Sequence, residues 1–217
     1  HILTGPVAVR GAEPGDVLEV RVIDVELRQD WAWNMIAPLK GSLPEDFSTS
    51  RVICIDLDDD TRTATPPWGV ELPVNPFFGV MGVAPPPEWG TITSIVPQAH
   101  GGNLDIKELG AGATLYFPVF NAGGLFSTGD GHLAQGDGEV AGIAMEAPLD
   151  VTMRMTLIKG MEIPAVRFET SGPTTSKVDG SGYYVTCGTG PDLHKSVEDA
   201  VRLMIDTLER DRGFDRG

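Results

Sequence analysis

A strict alternation of apolar and polar residues over positions 151–157 constrains the fold of this chain more than any other feature. Val, Met, Met and Leu occupy every second position, and Thr, Arg and Thr stand between them. Successive side chains of a β-strand point to opposite faces of a sheet, so this pattern predicts a strand with one buried and one solvated face. Residues 17–22 alternate in the same way and follow the turn formers of positions 13–16.

Two further segments, 51–57 and 114–120, are apolar at both parities and predict strands that are buried on both faces. Long connections at 29–50 and 68–90 interrupt the pattern, and the second is stiffened by prolines. The 217 residues include 27 glycines and 17 prolines. This composition favours many short strands joined by tight turns over a helical bundle.

One amphipathic helix is predicted towards the end of the sequence. Asp192 can cap it, Gly213 supplies a stop, and apolar residues recur between them at three- and four-residue spacing. The fold class is therefore mainly β (α+β), with a β-sandwich core and a C-terminal amphipathic helix. We expect residues 1–160 to form the sandwich core and residues 161–217 an α+β segment with its helix at about 192–212.

Charge and cysteine content narrow the classes of partner and compartment. Asp and Glu outnumber Lys and Arg by 31 to 16, which gives a formal net charge of -15 and disfavours nucleic-acid and membrane partners. The two cysteines, Cys54 and Cys187, lack metal-ligand spacing and are typical of reduced structural thiols. No apolar run approaches the length of a membrane helix. We expect a cytoplasmic protein.

Residues with acid–base or metal-binding side chains are densest in two glycine-rich stretches, 100–105 and 129–139. His100 with Asp105, and Asp130 with His132, have the nitrogen and oxygen donors that bind a divalent metal, zinc or calcium. A buried strand separates the two stretches, so we expect them to share a site only if residues 121–128 fold back. Asp-Gly pairs are also common in turns that catalyse nothing, and this interpretation stays open.

Nucleophilic serine or cysteine chemistry has weaker support. The chain contains no Gly-x-Ser-x-Gly elbow. Cys187 lies in a turn of small residues, where only His194 is near enough in sequence to activate it. We therefore expect Cys187 to be structural.

Four motifs in order resemble the acetamidase/formamidase family. They are Leu-Thr-Gly-Pro-Val-Ala-Val-Arg-Gly-Ala-Glu-Pro-Gly-Asp at 3–16, Phe-Gly-Val-Met-Gly-Val-Ala-Pro at 78–85, His-Gly-Gly-Asn-Leu-Asp at 100–105, and Gly-Asp-Gly-His-Leu-Ala-Gln-Gly-Asp-Gly-Glu at 129–139. The resemblance implies a mainly β fold, self-assembly into homo-oligomers, hydrolysis of formamide, acetamide or similar short amides, and a bound divalent metal. Compared with the family, the chain looks truncated or processed at both ends.

Site residues are assigned on the matching motifs, with roles taken from their chemistry. The expected catalytic residues are Glu139, Asp137, Asp130 and His132, with Glu139 as the proton carrier. The expected substrate-binding residues are Gly102, Asn103 and Phe78, and the expected metal ligands are His100 and Asp105. Phe77, Phe78 and Trp89 are candidates for the apolar wall of a small pocket.

A second hypothesis treats the chain as a non-catalytic β-sandwich that binds Ca²⁺ or a small ligand through its acidic glycine-rich loops. Asp130, Asp137 and Glu139 provide the hard oxygens that calcium prefers, although their spacing does not match an EF-hand. The two hypotheses differ in metal identity and in the presence of amidase activity.

Overall fold

A computed structural model describes residues 2–58, 60, 62–170 and 192–215. The chain divides into two compact units. The first unit comprises His1–Gln29, Asn75–Ala134 and Glu146–Thr174, and the second comprises Asp30–Val74, Gln135–Met145 and Thr175–Gly217. The division after residue 160 expected from the sequence stays a prediction.

The described residues form thirteen strands and one α-helix. In chain order these are β1 (Leu3–Val7), β2 (Val17–Leu27), β3 (Trp31–Ile36), β4 (Arg51–Asp58), β5 (Thr63–Thr65), β6 (Leu72–Pro73), β7 (Phe77–Gly82), β8 (Gly101–Asn103), β9 (Thr114–Pro118), β10 (Phe126–Ala134), β11 (Met145–Glu146), β12 (Leu149–Ile158), β13 (Arg167–Glu169) and α1 (Leu193–Arg212). A single turn of 3₁₀ helix follows β7 at Pro87–Trp89.

The first unit is a two-layer β-sandwich. One layer is an antiparallel sheet in the order β12-β2-β9-β13, and in the other layer β10 pairs with both β1 and β7, while β7 pairs with β8. The predicted strands at 17–22 and 151–157 are β2 and β12, and they pair along their whole length. The side chains of β12 alternate between half-buried and exposed positions as the sequence pattern predicts.

The core of the first unit lies between its two layers. Leu18, Val20 and Val22 of β2 are at most 1 % exposed, and they pack in one cluster with Leu115 and Phe117 of β9. Burial of such side chains stabilises the fold by roughly 1.5–3 kcal/mol each. The mainly β fold with a sandwich core is confirmed, and the sandwich holds the strands that carry the site.

The second unit contains the antiparallel series β3-β4-β5-β6. The prediction that residues 51–57 are buried on both faces is wrong. Ile53 and Ile55 of β4 are buried, whereas Val52 is 64 % exposed and Cys54 is an exposed free thiol. A run of β-branched residues gave β4 an apolar appearance at both parities, although only one of its faces packs against other residues.

The predicted amphipathic helix is confirmed as α1, with both predicted caps. The Asp192 carboxylate accepts a hydrogen bond from the Lys195 backbone N–H at 2.9 Å, and Gly213 takes the left-handed conformation that ends many helices. Arg202 pairs with Asp46 at 2.8 Å inside the second unit. None of the described helices is long and apolar enough to cross a membrane. Cys187, expected to be structural, lies outside the described residues.

Candidate functional site

The two glycine-rich stretches meet on β7, a strand that the sequence pattern did not reveal. β7 pairs with β10 on one side and with β8 on the other, so residues 100–105 and 129–132 flank the same strand. Val80 is opposite Gly129 on one side and opposite Asn103 on the other. The chain turns between β9 and β10, where the Gly124 N–H donates to the Asn121 carbonyl at 2.9 Å, and both stretches then contribute strands to one sheet while β9 belongs to the other.

Asp105, Asp130 and His132 converge on Gly79 of β7. Donor atoms of the three side chains lie within 4.8 Å of one another. A β-carbon placed on Gly79 would lie 2.5 Å from Asp105 Oδ1, 2.7 Å from Asp130 Oδ2 and 2.8 Å from His132 Cε1. A β-carbon does not approach other heavy atoms this closely, so only glycine at this position leaves room for the three side chains where they stand.

The two aspartates of this group have an unusual backbone conformation. Asp105 has φ 46° and Asp130 has φ 62°, both in the left-handed region. This conformation costs L-residues roughly 1–2 kcal/mol, and aspartate is among the residues that tolerate it best. Its occurrence at both carboxylates indicates that the fold holds these two side chains at a cost to stability, as functional sites often do.

His132 is the buried centre of the group, with a side chain only 1 % exposed. Its Nε2 lies 3.5 Å from Asp130 Oδ2 and 3.4 Å from Glu146 Oε1, and its ring meets the Phe77 ring edge-on at 5.0 Å. Burial by itself lowers the pKa of the imidazole. The neighbouring carboxylates of Asp130, Glu146 and Asp105 outweigh burial and raise the pKa of His132 to about 9.

Asn103, one of the expected substrate-binding residues, is joined to this group by a hydrogen bond. Its Nδ2 donates to Asp105 Oδ2 at 2.6 Å. The Asn103 Oδ1 atom is buried and has no hydrogen-bond partner among the described residues. Gly102, the second expected substrate-binding residue, lies in β8 opposite Met81 with φ 97°.

His100, an expected metal ligand, is not in the group formed by Asp105, Asp130 and His132. The residue is 7 % exposed, and its ring meets the Trp89 ring edge-on at 6.1 Å. Burial lowers the pKa of His100, so the ring is neutral near pH 7. Its Nδ1 is buried without a partner in the described part of the chain. The pairing of His100 and Asp105 as metal ligands stays a prediction.

The three aromatic candidates for a pocket wall have different surroundings. Phe78 is 7 % exposed and belongs to the hydrophobic core between the two layers. Phe77, next to it on β7, points to the opposite face and contacts His132. Trp89 lies in the 3₁₀ turn beside His100.

Asp137 and Glu139, the other expected catalytic residues, follow β10 in the segment 135–145 of the second unit. Asp137 is exposed. Glu139 is half-buried, has φ 43°, and its carbonyl accepts a hydrogen bond from Gly142 N–H at 2.7 Å. Their catalytic roles stay predictions.

Two residues of the site were not identified from the sequence. Gly79 stands between large apolar residues, and a glycine inside such a strand is a known signal of close approach by other atoms. Glu146 is a single carboxylate among Ala, Met, Ala and Pro, and an isolated charge in an apolar stretch indicates burial with a partner. These local sequence patterns mark Gly79 and Glu146 as unusual, but neither pattern identifies the residues that they contact.

Fold and site together define a β-sandwich protein with a buried carboxylate–imidazole centre. Comparison with protein families gives the particular family: the model of the acetamidase/formamidase family matches residues 1–92 and 88–217. The chain belongs to the acetamidase/formamidase family.

Individual relatives and solved structures agree with this assignment. The chain is 27 % identical to an acetamidase of Mycolicibacterium smegmatis, over 82 % of the chain and 57 % of the relative. It is 30 % identical to a formamidase of Methylophilus methylotrophus, over 73 % of the chain and 52 % of the relative. The chain therefore spans just over half the length of these two relatives.

Two solved structures have the same fold. A γ-lactamase from Delftia acidovorans superposes with a TM-score of 0.88 at 26 % identity, over 100 % of this chain and 68 % of that one. An acetamidase from Yersinia enterocolitica superposes with a TM-score of 0.72 at 30 % identity, over 99 % of this chain and 64 % of that one.

Proposed function

We propose that the protein is an amidohydrolase that cleaves short aliphatic amides, such as formamide and acetamide, to a carboxylate and ammonia. The observation that carries the proposal is the group of Asp105, Asp130 and His132 around Gly79 in a chain of the acetamidase/formamidase family. Amide hydrolysis needs an activated water, a group that stabilises the oxyanion, and a proton for the leaving nitrogen. Carboxylates and an imidazole can supply the first and the last.

The same three residues fit a divalent metal ion. Their donor atoms lie within 4.8 Å of one another, and donors around one zinc ion lie at most about 4.4 Å apart because each is about 2.0–2.2 Å from it. Small side-chain movements would close the group on an ion. The imidazole nitrogen favours zinc or another transition metal over calcium. When bound, such an ion polarises a carbonyl oxygen and lowers the pKa of a bound water.

The charges around His132 support a cation at this place. Asp130 and Glu146, with side chains 14 % and 13 % exposed, both lie within 3.5 Å of His132 Nε2, and Asp105 adds a third carboxylate. Three carboxylates around one imidazole leave an excess of negative charge where little water is present to screen it. A bound cation would offset that excess.

The chain's own residues fix the geometry that the reaction needs. Asn103 orients the Asp105 carboxylate through its hydrogen bond, and the Phe77 ring covers one side of His132. Gly79, without a side chain, lets the two carboxylates and the imidazole approach one another closely. Glu139 is our candidate for the group that carries a proton to the leaving nitrogen, by its chemistry and its place in the family motif.

A pair of glycine variants tests the site. Purified protein should release ammonia from formamide, acetamide or propionamide, and Gly79→Ala should remove at least about 99 % of that turnover because the new methyl group displaces the carboxylates. Gly136→Ala is the matched control, since a β-carbon there meets nothing within 4 Å, and should retain turnover. No ammonia from any short amide in the wild type would refute the proposed function.

Glu139→Gln tests the assignment of the proton carrier. It keeps the shape of the side chain and removes its acid–base function, so turnover should fall about 10²–10⁴-fold while the melting temperature stays unchanged. A folded Glu139→Gln protein with near-normal turnover would leave the hydrolase proposal intact and reject this role.

Calcium binding without catalysis is the second candidate. Calcium–oxygen distances of about 2.3–2.6 Å allow donors up to about 5 Å apart, so the observed spacing fits this ion without closure. The nitrogen ligand argues against it. Elemental analysis together with the ammonia assay separates the two candidates: calcium without turnover favours binding, and zinc with turnover favours catalysis.

We also propose a homo-oligomer in a reducing, cytoplasmic compartment. β12 and β13 are the outer strands of the four-stranded sheet in the described chain, and open sheet edges favour pairing with another copy. Cys54 is an exposed free thiol, which persists in reducing surroundings. Light scattering that gives the 23.1 kDa monomer at micromolar concentration would contradict self-association.

A further inference from the structure

The orientation of the Asn103 amide is determined by its neighbour. Asp105 offers only acceptor oxygens when ionised, and the Asn103 atom 2.6 Å from Asp105 Oδ2 must therefore be the N–H₂ donor. The opposite orientation would place two oxygens in repulsive contact. Asn103 Oδ1 is bonded to the same carbon as Nδ2, so it lies beside the Asp105 carboxylate and presents a fixed acceptor there.

This acceptor has no donor. Asn103 Oδ1 is buried and lacks a hydrogen-bond partner among the described residues. Buried polar atoms are nearly always paired, because leaving one unpaired is costly. The hydrogen bond to Asp105 holds the amide in place, so Oδ1 cannot turn away to find a partner without breaking that bond. An incoming ligand is a natural source of the missing N–H.

We infer that Asn103 Oδ1 accepts a hydrogen bond from the substrate's amide nitrogen and so selects primary amides over esters of the same acid. This inference rests on the proposed function and adds a specificity-determining residue to it. A primary amide carries two N–H donors on its leaving nitrogen, whereas the alkoxy oxygen of an ester carries none. An ester bound in the same place would leave Oδ1 buried and unpaired, and sites that are built to bond an N–H discriminate strongly against analogues without it.

The test compares acetamide with methyl acetate, which share an acyl group and differ at the leaving atom. The measured quantity is the ratio of kcat/KM for acetamide to kcat/KM for methyl acetate. In the wild type, the hydrogen bond to Asn103 Oδ1 raises this ratio. Asn103→Leu removes the acceptor at nearly constant volume, and this ratio should fall about tenfold to a hundredfold. The greater intrinsic reactivity of the ester affects the ratio equally in the variant and in the wild type, so it cancels when the two ratios are compared.

Loss of the Asn103–Asp105 bond alone would have a different signature. A purely structural role for Asn103 lowers turnover of amide and ester by the same factor and leaves the ratio unchanged. If methyl acetate is not turned over, its inhibition constant against acetamide hydrolysis gives the same information, and it should fall in Asn103→Leu relative to the KM for acetamide. Asn103→Ala is the second variant, for use if the leucine does not fold.

Thr128→Val is the matched control. Thr128 Oγ1 donates to the Val80 carbonyl at 2.9 Å, so the substitution removes a buried hydrogen bond from the same part of the sheet without touching Asn103. It should leave the amide-to-ester ratio unchanged. An unchanged ratio in both Asn103 variants would overturn the inference while sparing the proposed function. Absence of amide turnover in the wild type would overturn both.

Discussion

Single residues of the site carry opposing electrostatic effects, and His132 is the clearest case. Burial opposes its charged form, but three carboxylates favour it more strongly and raise its pKa from 6.5 to about 9. A residue whose pKa is higher in the folded state stabilises the fold at low pH. Here the full contribution is present below pH 6.5 and is lost as the pH rises through about 9.

Metal-free protein should therefore lose free energy of unfolding between pH 6.5 and pH 9. A shift of this size corresponds to a loss on the order of 3 kcal/mol. Urea unfolding at a series of pH values should show this slope in the wild type and not in His132→Gln. His194, with a side chain 80 % exposed, supplies the control, and His194→Gln should keep the wild-type slope. Parallel curves for the wild type and His132→Gln would contradict the assigned ionisation.

Elements differ in how far the sequence predicts them, and the difference has a physical basis. β2 and β12 each have one solvated face, so their alternation is visible in the sequence. α1 was predictable for a similar reason, since its caps and apolar stripe are local features. β7 is buried at all six positions and lies among prolines, and a continuous apolar run does not distinguish a strand from a rigid loop.

Because the sequence did not predict β7, it predicted the residues of the site but not their arrangement. The sequence identifies Asp105, Asp130 and His132 as residues with acid–base or metal-binding side chains. Their convergence depends on β7, which lies in the sheet between β8 and β10. Pairing between strands distant in sequence is a tertiary property with no local signature. Glu146 reaches His132 in the same way, through the fold alone.

At the scale of elements, α1 offers a test of its N-terminal cap. Asp192 accepts the Lys195 N–H, and Asp192→Ala removes that acceptor, which should cost about 1 kcal/mol. Asp192→Asn retains a side-chain oxygen at the same place and should cost much less. Urea unfolding followed by circular dichroism at the helix band measures both. Equal losses in the two variants would indicate that charge, and not the hydrogen bond, stabilises this end of the helix.

The molecule as a whole repels anions, yet it concentrates carboxylates at one buried place. The net charge of -15 is spread over the chain, and a charge of this sign raises the local concentration of cations and not that of a neutral amide. Metal binding to the Asp105, Asp130 and His132 group should change the unfolding free energy of the whole fold. An ion that binds the native state and not the unfolded chain raises the unfolding free energy in proportion to the logarithm of its concentration.

Metal removal tests this linkage. Zinc at about a hundred times its dissociation constant should stabilise the chelator-treated protein by about 2.7 kcal/mol, and thermal unfolding with and without zinc measures the shift. Because a proton on His132, with its pKa of about 9, competes with the ion, the zinc concentration needed should rise about tenfold for each unit that the pH falls below that value. Gly79→Ala should abolish the shift, since its methyl group occupies the space between the ligands. A zinc effect that is independent of pH, or that survives in Gly79→Ala, would indicate an ion bound elsewhere on the acidic surface.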